Sequence, residues 1–367
     1  MQPKPNIVHL PVYQPGKPIE DVKRELGLTE VVKLASNENP FGCSPKAKEV
    51  IIRELENLSL YPDGAAVALT EAVAKRHGVA PNQIIFGCGS DEVIQMIAKA
   101  FFLPGDETVM ATHTFSQYPH NANVENATIV EVAMTHGSTH DLPAMLAAVT
   151  EQTKVVWICN PNNPTGTIVS HDEVKAFLDK VSSDVLVVLD EAYIEYVTDP
   201  DFPNGLELLQ DYKNLVLLRT FSKIYGLASL RIGYGIGHPD VIKLINQVRP
   251  PFNTTRAAQA AALAALSDDA FIEDCRAANT VGIHYLTEEF TRLGLTYFPA
   301  HGNFIMVDVK RPAAQMFDAL LRKGFIVRGG HALGFPTSLR VTVGNQIQNE
   351  GFIQALEQVL VEMAVQV

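Results

Sequence analysis

The chain has 367 residues, 29 basic and 41 acidic, for a formal net charge of −12. That balance argues against a general binder of nucleic acid or of anionic membrane, and leaves room only for a local anion site. Hydrophobic residues make up 47% of the sequence, enough for a sizeable core, and the length points to two domains or to one large and one small. The cysteines, Cys43, Cys88, Cys159 and Cys275, are scattered without a Cys-x-x-Cys pair, so we expect reduced structural thiols and no metal or disulfide framework. Met1-Gln2-Pro3-Lys4-Pro5 has no apolar signal core, and no apolar run reaches the ~20 residues of a membrane span. The simplest expectation is a soluble cytoplasmic protein.

Residues 1–30 are Pro-rich and then polar, a poor core segment that reads as an arm crossing a surface, such as that of a partner subunit. Val31–Ala35 is a short strand candidate, and Ser36-Asn37-Glu38-Asn39-Pro40 a polar loop. Helical spacing covers Lys46–Leu58 and Ala65–His77, the second stopped by Gly78. From residue 84 short β-rich runs take over: 84–86, 108–110, 128–130, 155–158, 185–189, 215–218 and 232–236. Helices are expected at 91–102, 142–149 and 171–181 between them. Apolar strands alternating with helices predict a mostly parallel seven-stranded sheet covered by helices on both faces. The link from Thr220 to Leu230 is shorter than the dozen or so residues a parallel crossover needs, so the last strand should be antiparallel. After Pro250-Pro251 come helices at 257–266 and 268–293, strands at 304–307, 325–328 and 339–343, a helix at 313–323 and a final helix at 349–365. The expected fold is therefore α/β: a large domain at 45–255, a smaller α+β domain from 31–44 and 256–367, and the arm at 1–30.

The chemistry gathers around Thr220-Phe221-Ser222-Lys223, which follows the buried run 215–219. A lysine at the mouth of an apolar strand is easily desolvated, which favours its neutral, nucleophilic amine. A lone Ser-Lys is ordinarily a solvated loop, and its company upstream changes the reading. Asn160-Pro161-Asn162-Asn163-Pro164-Thr165-Gly166 puts amide side chains on a stiffened loop at a strand's carboxyl end, where open α/β sheets bind ligands. Asp190 ends an all-apolar strand, where its charge needs a partner such as a protonated pyridine nitrogen. Tyr193 follows within reach of a phenolic oxygen. Gly87-Cys88-Gly89-Ser90-Asp91-Glu92 opens a helix whose free N–H groups suit a phosphate. Thr220, Ser222 and Arg231 add two hydroxyls and a guanidinium to the same purpose. Phe115 offers a ring to lie on an aromatic cofactor. Together these parts make an apparatus for pyridoxal phosphate. Arg328 and Arg340, near strands of the small domain, are candidates to grip substrate anions, and the eleven histidines show no metal-ligand spacing.

In this order the motifs resemble the fold-type-I pyridoxal-phosphate-dependent aminotransferases over nearly the whole chain. Among these the chain is most similar to the histidinol-phosphate aminotransferases, through Tyr13-Gln14-Pro15-Gly16, residues 34–40, Tyr61-Pro62-Asp63, Gly89-Ser90-Asp91-Glu92, and Arg328 through residues 339–344. The resemblance implies pyridoxal 5'-phosphate bound covalently by Lys223, with Asp190 on the pyridine nitrogen and Tyr193 and Asn160 on the ring oxygen. Phe115 would stack where some members carry tyrosine. Ser90, Asp91, Thr220, Ser222 and Arg231 would surround the phosphate. Tyr61 would reach it from the other subunit of a homodimer with shared active sites, and Tyr13 and Asn37 would line the substrate pocket. The substrates implied are histidinol phosphate and 2-oxoglutarate, with imidazole acetol phosphate and glutamate as products. An aromatic amino-acid aminotransferase, a dual-substrate enzyme and a decarboxylase of a phosphorylated amino acid stay open on these motifs. A regulator with an aminotransferase-like sensor would need a DNA-binding domain, for which residues 1–40 are too short and too weakly basic.

Overall fold

The computed structural model describes residues 1–12 and 16–365. Its strands are β1 (Val32–Lys33), β2 (Ile84–Gly87), β3 (Glu107–Ala111), β4 (Thr128–Val132), β5 (Thr153–Cys159), β6 (Leu186–Asp190), β7 (Leu215–Thr220), β8 (Gly233–Gly237), β9 (Thr296–Tyr297), β10 (Phe304–Asp308), β11 (Phe325–Ile326), β12 (Arg328–Gly329) and β13 (Ser338–Thr342). Seven of them form one sheet in the order β2-β8-β7-β6-β5-β3-β4. All its pairings are parallel except those of β8, which runs antiparallel to both β2 and β7. The short link after Thr220 thus has the expected consequence. The central strands β6 and β7 are buried at every position, whereas edge strand β4 is only partly covered.

Successive side chains of these strands enter opposite cores, as a pleated strand requires. Val156, Ile158, Val187, Leu189 and Leu217 enter one core, and Val155, Trp157, Leu186, Val188 and Val216 the other. At about 25 cal/mol per Å² of apolar surface, these two layers supply the main drive for folding. A second, antiparallel sheet in the order β12-β13-β10-β9 packs its apolar face with helices Asp269–Arg292, Ala313–Arg322 and Gln346–Val365.

Several elements differ from the sequence reading. The expected strand at 325–328 divides at Val327: β11 pairs in parallel with β1, and β12 pairs with β13. Within the N-terminal arm, helix Ile19–Leu26 buries Val22 against Ala35, Leu321 and Ile326, so this stretch packs on its own chain. Helix Arg256–Leu266, which the sequence reading assigns to the small domain, lends Ala258, Ala261, Ala262 and Ala265 to a core of the large sheet. Its small side chains let it lie close to helix Pro45–Glu54. Helices Gln117–Val124, Gly205–Asp211 and Pro239–Asn246 have no counterpart in the sequence reading.

Candidate active site

The carboxyl ends of the parallel strands and the small antiparallel sheet enclose a cavity of about 210 Å³. Its floor follows from the sheet order, which sets the ends of β5, β6 and β7 side by side. Asp190 comes from β6, Thr220, Ser222 and Lys223 from the end of β7, and Ser90 and Asp91 from the turn after β2. Close approach makes that turn possible. Gly89 has φ +77, and a Cβ on it would lie 2.6 Å from a guanidinium nitrogen of Arg231. A Cβ on Gly233 would lie 2.4 Å from the Ser90 amide nitrogen, so only glycine lets β8 pass beneath the turn.

Lys223 lines the cavity, its Nζ 3.4 Å from the Ser36 carbonyl and 5.4 Å from the centre of the Tyr193 ring. Burial, with help from the positive charge of Arg340, pushes its amine down to about 8. Asp190 is 3% exposed. Its Oδ2 accepts from the Tyr118 hydroxyl at 2.7 Å and its Oδ1 from the Ala192 amide at 3.1 Å. Burial nonetheless raises its carboxyl to about 6, because no basic side chain among the described residues pairs with it. The adjacent Glu191 is different: Arg219 holds it through both Nε and an Nη at 2.8 Å, on the far side of the strand end.

Arg231 reaches Ser222 Oγ at 3.2 Å, the Ala228 carbonyl at 3.1 Å and Asp91 at 3.1 Å. Its φ of 53 is a left-handed conformation, which costs a non-glycine residue of order 1 kcal/mol. Beside it helix Ser90–Phe101 opens with no side chain capping its first N–H groups. Guanidinium, hydroxyls and open helix N-terminus form a phosphate cradle. Phe115 lines the same cavity, and Asn37 Nδ2 donates to the Tyr193 phenol oxygen at 2.9 Å. These groups fit pyridoxal phosphate part for part: a desolvated amine, a buried carboxylate with no cationic partner among the described residues, an aromatic wall and an anion cradle.

The other half of the cavity comes from distant segments. Arg328 and Arg340 are directly paired across β12 and β13, and both line the cavity. The register sets two guanidinium-bearing residues opposite one another on the small sheet, beside the cavity they both line, which suits an anion. Arg340 is 8% exposed, donates to the Ala35 carbonyl at 2.7 Å and to Asn163 Oδ1 at 2.5 Å, and lies 5.5 Å from the Phe304 ring centre. Asn37, also at the cavity wall, has φ 56; Thr342 Oγ1 accepts from its amide at 2.9 Å and donates to its Oδ1 at 3.0 Å.

One sequence assignment changes. Asn160 does not line the cavity: its side chain donates to the Val169 carbonyl and accepts from the Val169 amide, both at 3.0 Å. It braces the loop, and Asn163, three residues on, faces the cavity instead. Tyr61 lies outside its own chain's cavity, 78% exposed and stacked on Phe252 at 4.7 Å. Tyr13 falls outside the described residues, although Gly16 lines the cavity. The sequence reading gives Tyr118 no role. The available signal is a tyrosine three residues after Phe115, which a turn closed by the Tyr118 amide on the Phe115 carbonyl at 3.2 Å sets beside it.

Comparison with known proteins agrees with this geometry. The family model described as "Aminotransferase class I and II" matches residues 29–356. Histidinol-phosphate aminotransferase of Brevibacillus brevis is 55% identical over 360 residues, 98% of this chain and 99% of that one. The enzyme of that name from Bacillus subtilis strain 168 is 53% identical over 360 residues, 98% of this chain and 100% of that one. Among solved structures, histidinol-phosphate aminotransferase from Sinorhizobium meliloti in complex with pyridoxal-5'-phosphate superposes with TM-score 0.90 at 27% identity, covering 98% of this chain and 97% of that one.

Proposed function

The chain belongs to the class I and II aminotransferases, pyridoxal-phosphate enzymes, and from that premise we propose that it transaminates histidinol phosphate, with 2-oxoglutarate as amino acceptor, in histidine biosynthesis. The observation that carries the substrate is the Arg328–Arg340 pair over the cavity that holds Lys223. Two guanidiniums match a doubly charged phosphate better than a single carboxylate, since each pairs bidentately with an oxyanion.

Bound pyridoxal phosphate supplies an electron sink for the bonds at the amine-bearing carbon of the substrate. The residues do the rest. Lys223 would be the residue that holds the cofactor covalently, and its freed amine would serve as general base and acid for the proton at the substrate carbon. Its lowered proton affinity, near 8, suits both roles close to neutral pH. Asp190, buried without a cationic partner among the described residues, would pair with the ring nitrogen and hold it protonated. Tyr193 and Asn163 would hold the ring oxygen, and Phe115 would cover a ring face. Ser90, the helix N-terminus, Thr220, Ser222 and Arg231 take the cofactor phosphate, with Asp91 orienting Arg231. Arg340 serves the anions of both substrates, and Arg328 assists on the phosphate.

The working form in this reading is a cytoplasmic homodimer. Ile52, Leu55, Leu58, Leu60, Tyr61, Val67 and Phe252 are all exposed, a run of apolar side chains denser than single surface hydrophobics. Tyr61 projects from that face and completes the phosphate site of the second copy. Stopped-flow mixing of the loaded enzyme with histidinol phosphate alone tests the reaction. One equivalent of imidazole acetol phosphate per subunit, with loss of the yellow colour, is expected. Carbon dioxide release in place of the oxo product would contradict the proposal.

A further inference from the structure

The hydroxyl of Tyr118 lies in no solvent path: the residue is fully buried, and its O–H donates to Asp190 Oδ2 at 2.7 Å. We propose that Tyr118 is a positioning residue whose hydroxyl keeps Asp190 ionised and aimed, so that the proton they govern stays on the cofactor's ring nitrogen. This rests on the assignment of Asp190 to that nitrogen.

Geometry carries the inference. The Tyr118 ring is held on two sides. Trp157 stacks on its face with ring centres 4.8 Å apart and planes 11° from parallel, and Phe115 meets it edge-on at 5.6 Å. Trp157 is itself pinned, its Nε1 donating to Thr108 Oγ1 at 2.8 Å, and that hydroxyl donates to the Val155 carbonyl at 2.9 Å. The phenol therefore cannot swing away from the carboxylate without opening a packed core. One turn of chain, residues 115–118, supplies both the aromatic wall of the cavity and the donor to the carboxylate.

Electrostatics gives the hydroxyl its work. Besides Tyr118 on its helix, Asp190 is faced by Cys159 from β5, by Asp91 from helix Ser90–Phe101, and by Glu191 and Tyr193 from its own segment. Burial and the negative charges of Asp91 and Glu191 favour the protonated carboxyl; the Tyr118 hydrogen bond is the largest influence the other way, ahead of the Ala192 amide. Without the hydroxyl, the proton shared by Asp190 and the ring nitrogen moves toward Asp190. The carboxyl becomes neutral and the ring nitrogen loses its charge, with no proton gained or lost by the pair.

The test is ¹⁵N NMR of the holoenzyme loaded with pyridoxal phosphate labelled at the ring nitrogen, titrated with pH, for the wild type and Tyr118→Phe. The wild-type nitrogen is expected in its protonated position through neutral pH. Tyr118→Phe should move its resonance toward the unprotonated position across that same range, with the ratio of the two proton positions changing about tenfold or more on loss of a hydrogen bond to a charged group. Equal resonance positions in the two proteins, even with a lower melting temperature, would overturn the proposal and reduce Tyr118 to a packing residue. A wild-type nitrogen unprotonated at neutral pH would instead overturn the Asp190 assignment itself. Placing 3-fluorotyrosine at 118 keeps the fold intact should the phenylalanine variant aggregate. Its more acidic hydroxyl donates more strongly and should hold the nitrogen in its protonated position, and a resonance displaced toward the unprotonated position there overturns the proposal.

Discussion

The two halves of the cavity are built in opposite ways. The half fitted to the cofactor hangs on strand ends of one rigid sheet, and each part is a contiguous motif: residues 87–92, 190–193 and 220–223. The half fitted to the substrate is stitched from remote segments. Arg340 bonds Ala35 and Asn163, and Thr342 bonds Asn37, across sequence separations of 305, 177 and 305 residues. Chemistry common to every substrate sits where the backbone is most constrained. On the function proposed above, selectivity would sit on the small sheet and on the distant loops that it meets.

That contrast orders the consequences of substitution. Changes in the cofactor half should impair both half-reactions alike, and changes in the substrate half should separate them. Lys223→Ala heads the list. The protein should fold, bind cofactor without fixing it under borohydride, and lose turnover by on the order of 10⁴-fold. A borohydride-labelled peptide containing any other lysine would remove Lys223 from its role. Asp190→Asn should keep the cofactor and lose about 10²-fold or more in kcat with both substrates, because an amide does not hold the ring proton. Near-normal turnover would contradict that.

Smaller effects should appear on the substrate side. Arg340→Ala should cost both half-reactions about 3 kcal/mol, roughly 10²-fold in kcat/KM, as expected for a buried charge-assisted contact. Arg328→Ala should weaken histidinol phosphate about tenfold and leave glutamate nearly unchanged, as for a single partly exposed contact to a charged group. Equal losses in the two half-reactions for Arg328→Ala would erase the distinction between the halves. The mildest effect is one of pH. The amine of Lys223 must be neutral to capture cofactor, and it gives up its proton near 8. Capture by the cofactor-free protein should therefore be slow below that pH and rise through it. A rate that stays flat from mildly acidic to mildly alkaline solution would contradict the desolvated lysine.

Legibility in the sequence follows the same division. The seven strands, their burial and the reversed last strand are readable because apolar runs and one short link leave few alternatives. Contiguous motifs likewise announce Lys223, Asp190, Tyr193 and the phosphate cradle. Asn160 and Asn163 share a motif and a residue type, and only the two-way pairing of the Asn160 amide with Val169 tells brace from wall. Tyr118 is hidden because Pro119, Asn121 and Asn123 are poor helix formers, so Gln117–Val124 does not read as a helix. Helix Gly205–Asp211 is short and begins with glycine, which leaves the Asn204 cap on the Glu207 amide as its main signal. Helix Arg256–Leu266 is legible as a helix, but its alanines suit either core and do not say which one takes it. Arg328 and Arg340 can be named as separate cations. Their direct pairing across β12 and β13 depends on strand register, which the pattern of residues does not show.

The substrate assignment concentrates the account into one comparison: kcat/KM for histidinol phosphate against phenylalanine, both with 2-oxoglutarate as acceptor. The paired guanidiniums predict a clear preference for histidinol phosphate, reduced about tenfold in Arg328→Ala. A clear preference for phenylalanine in the wild-type enzyme would contradict the account and make the chain an aromatic amino-acid aminotransferase.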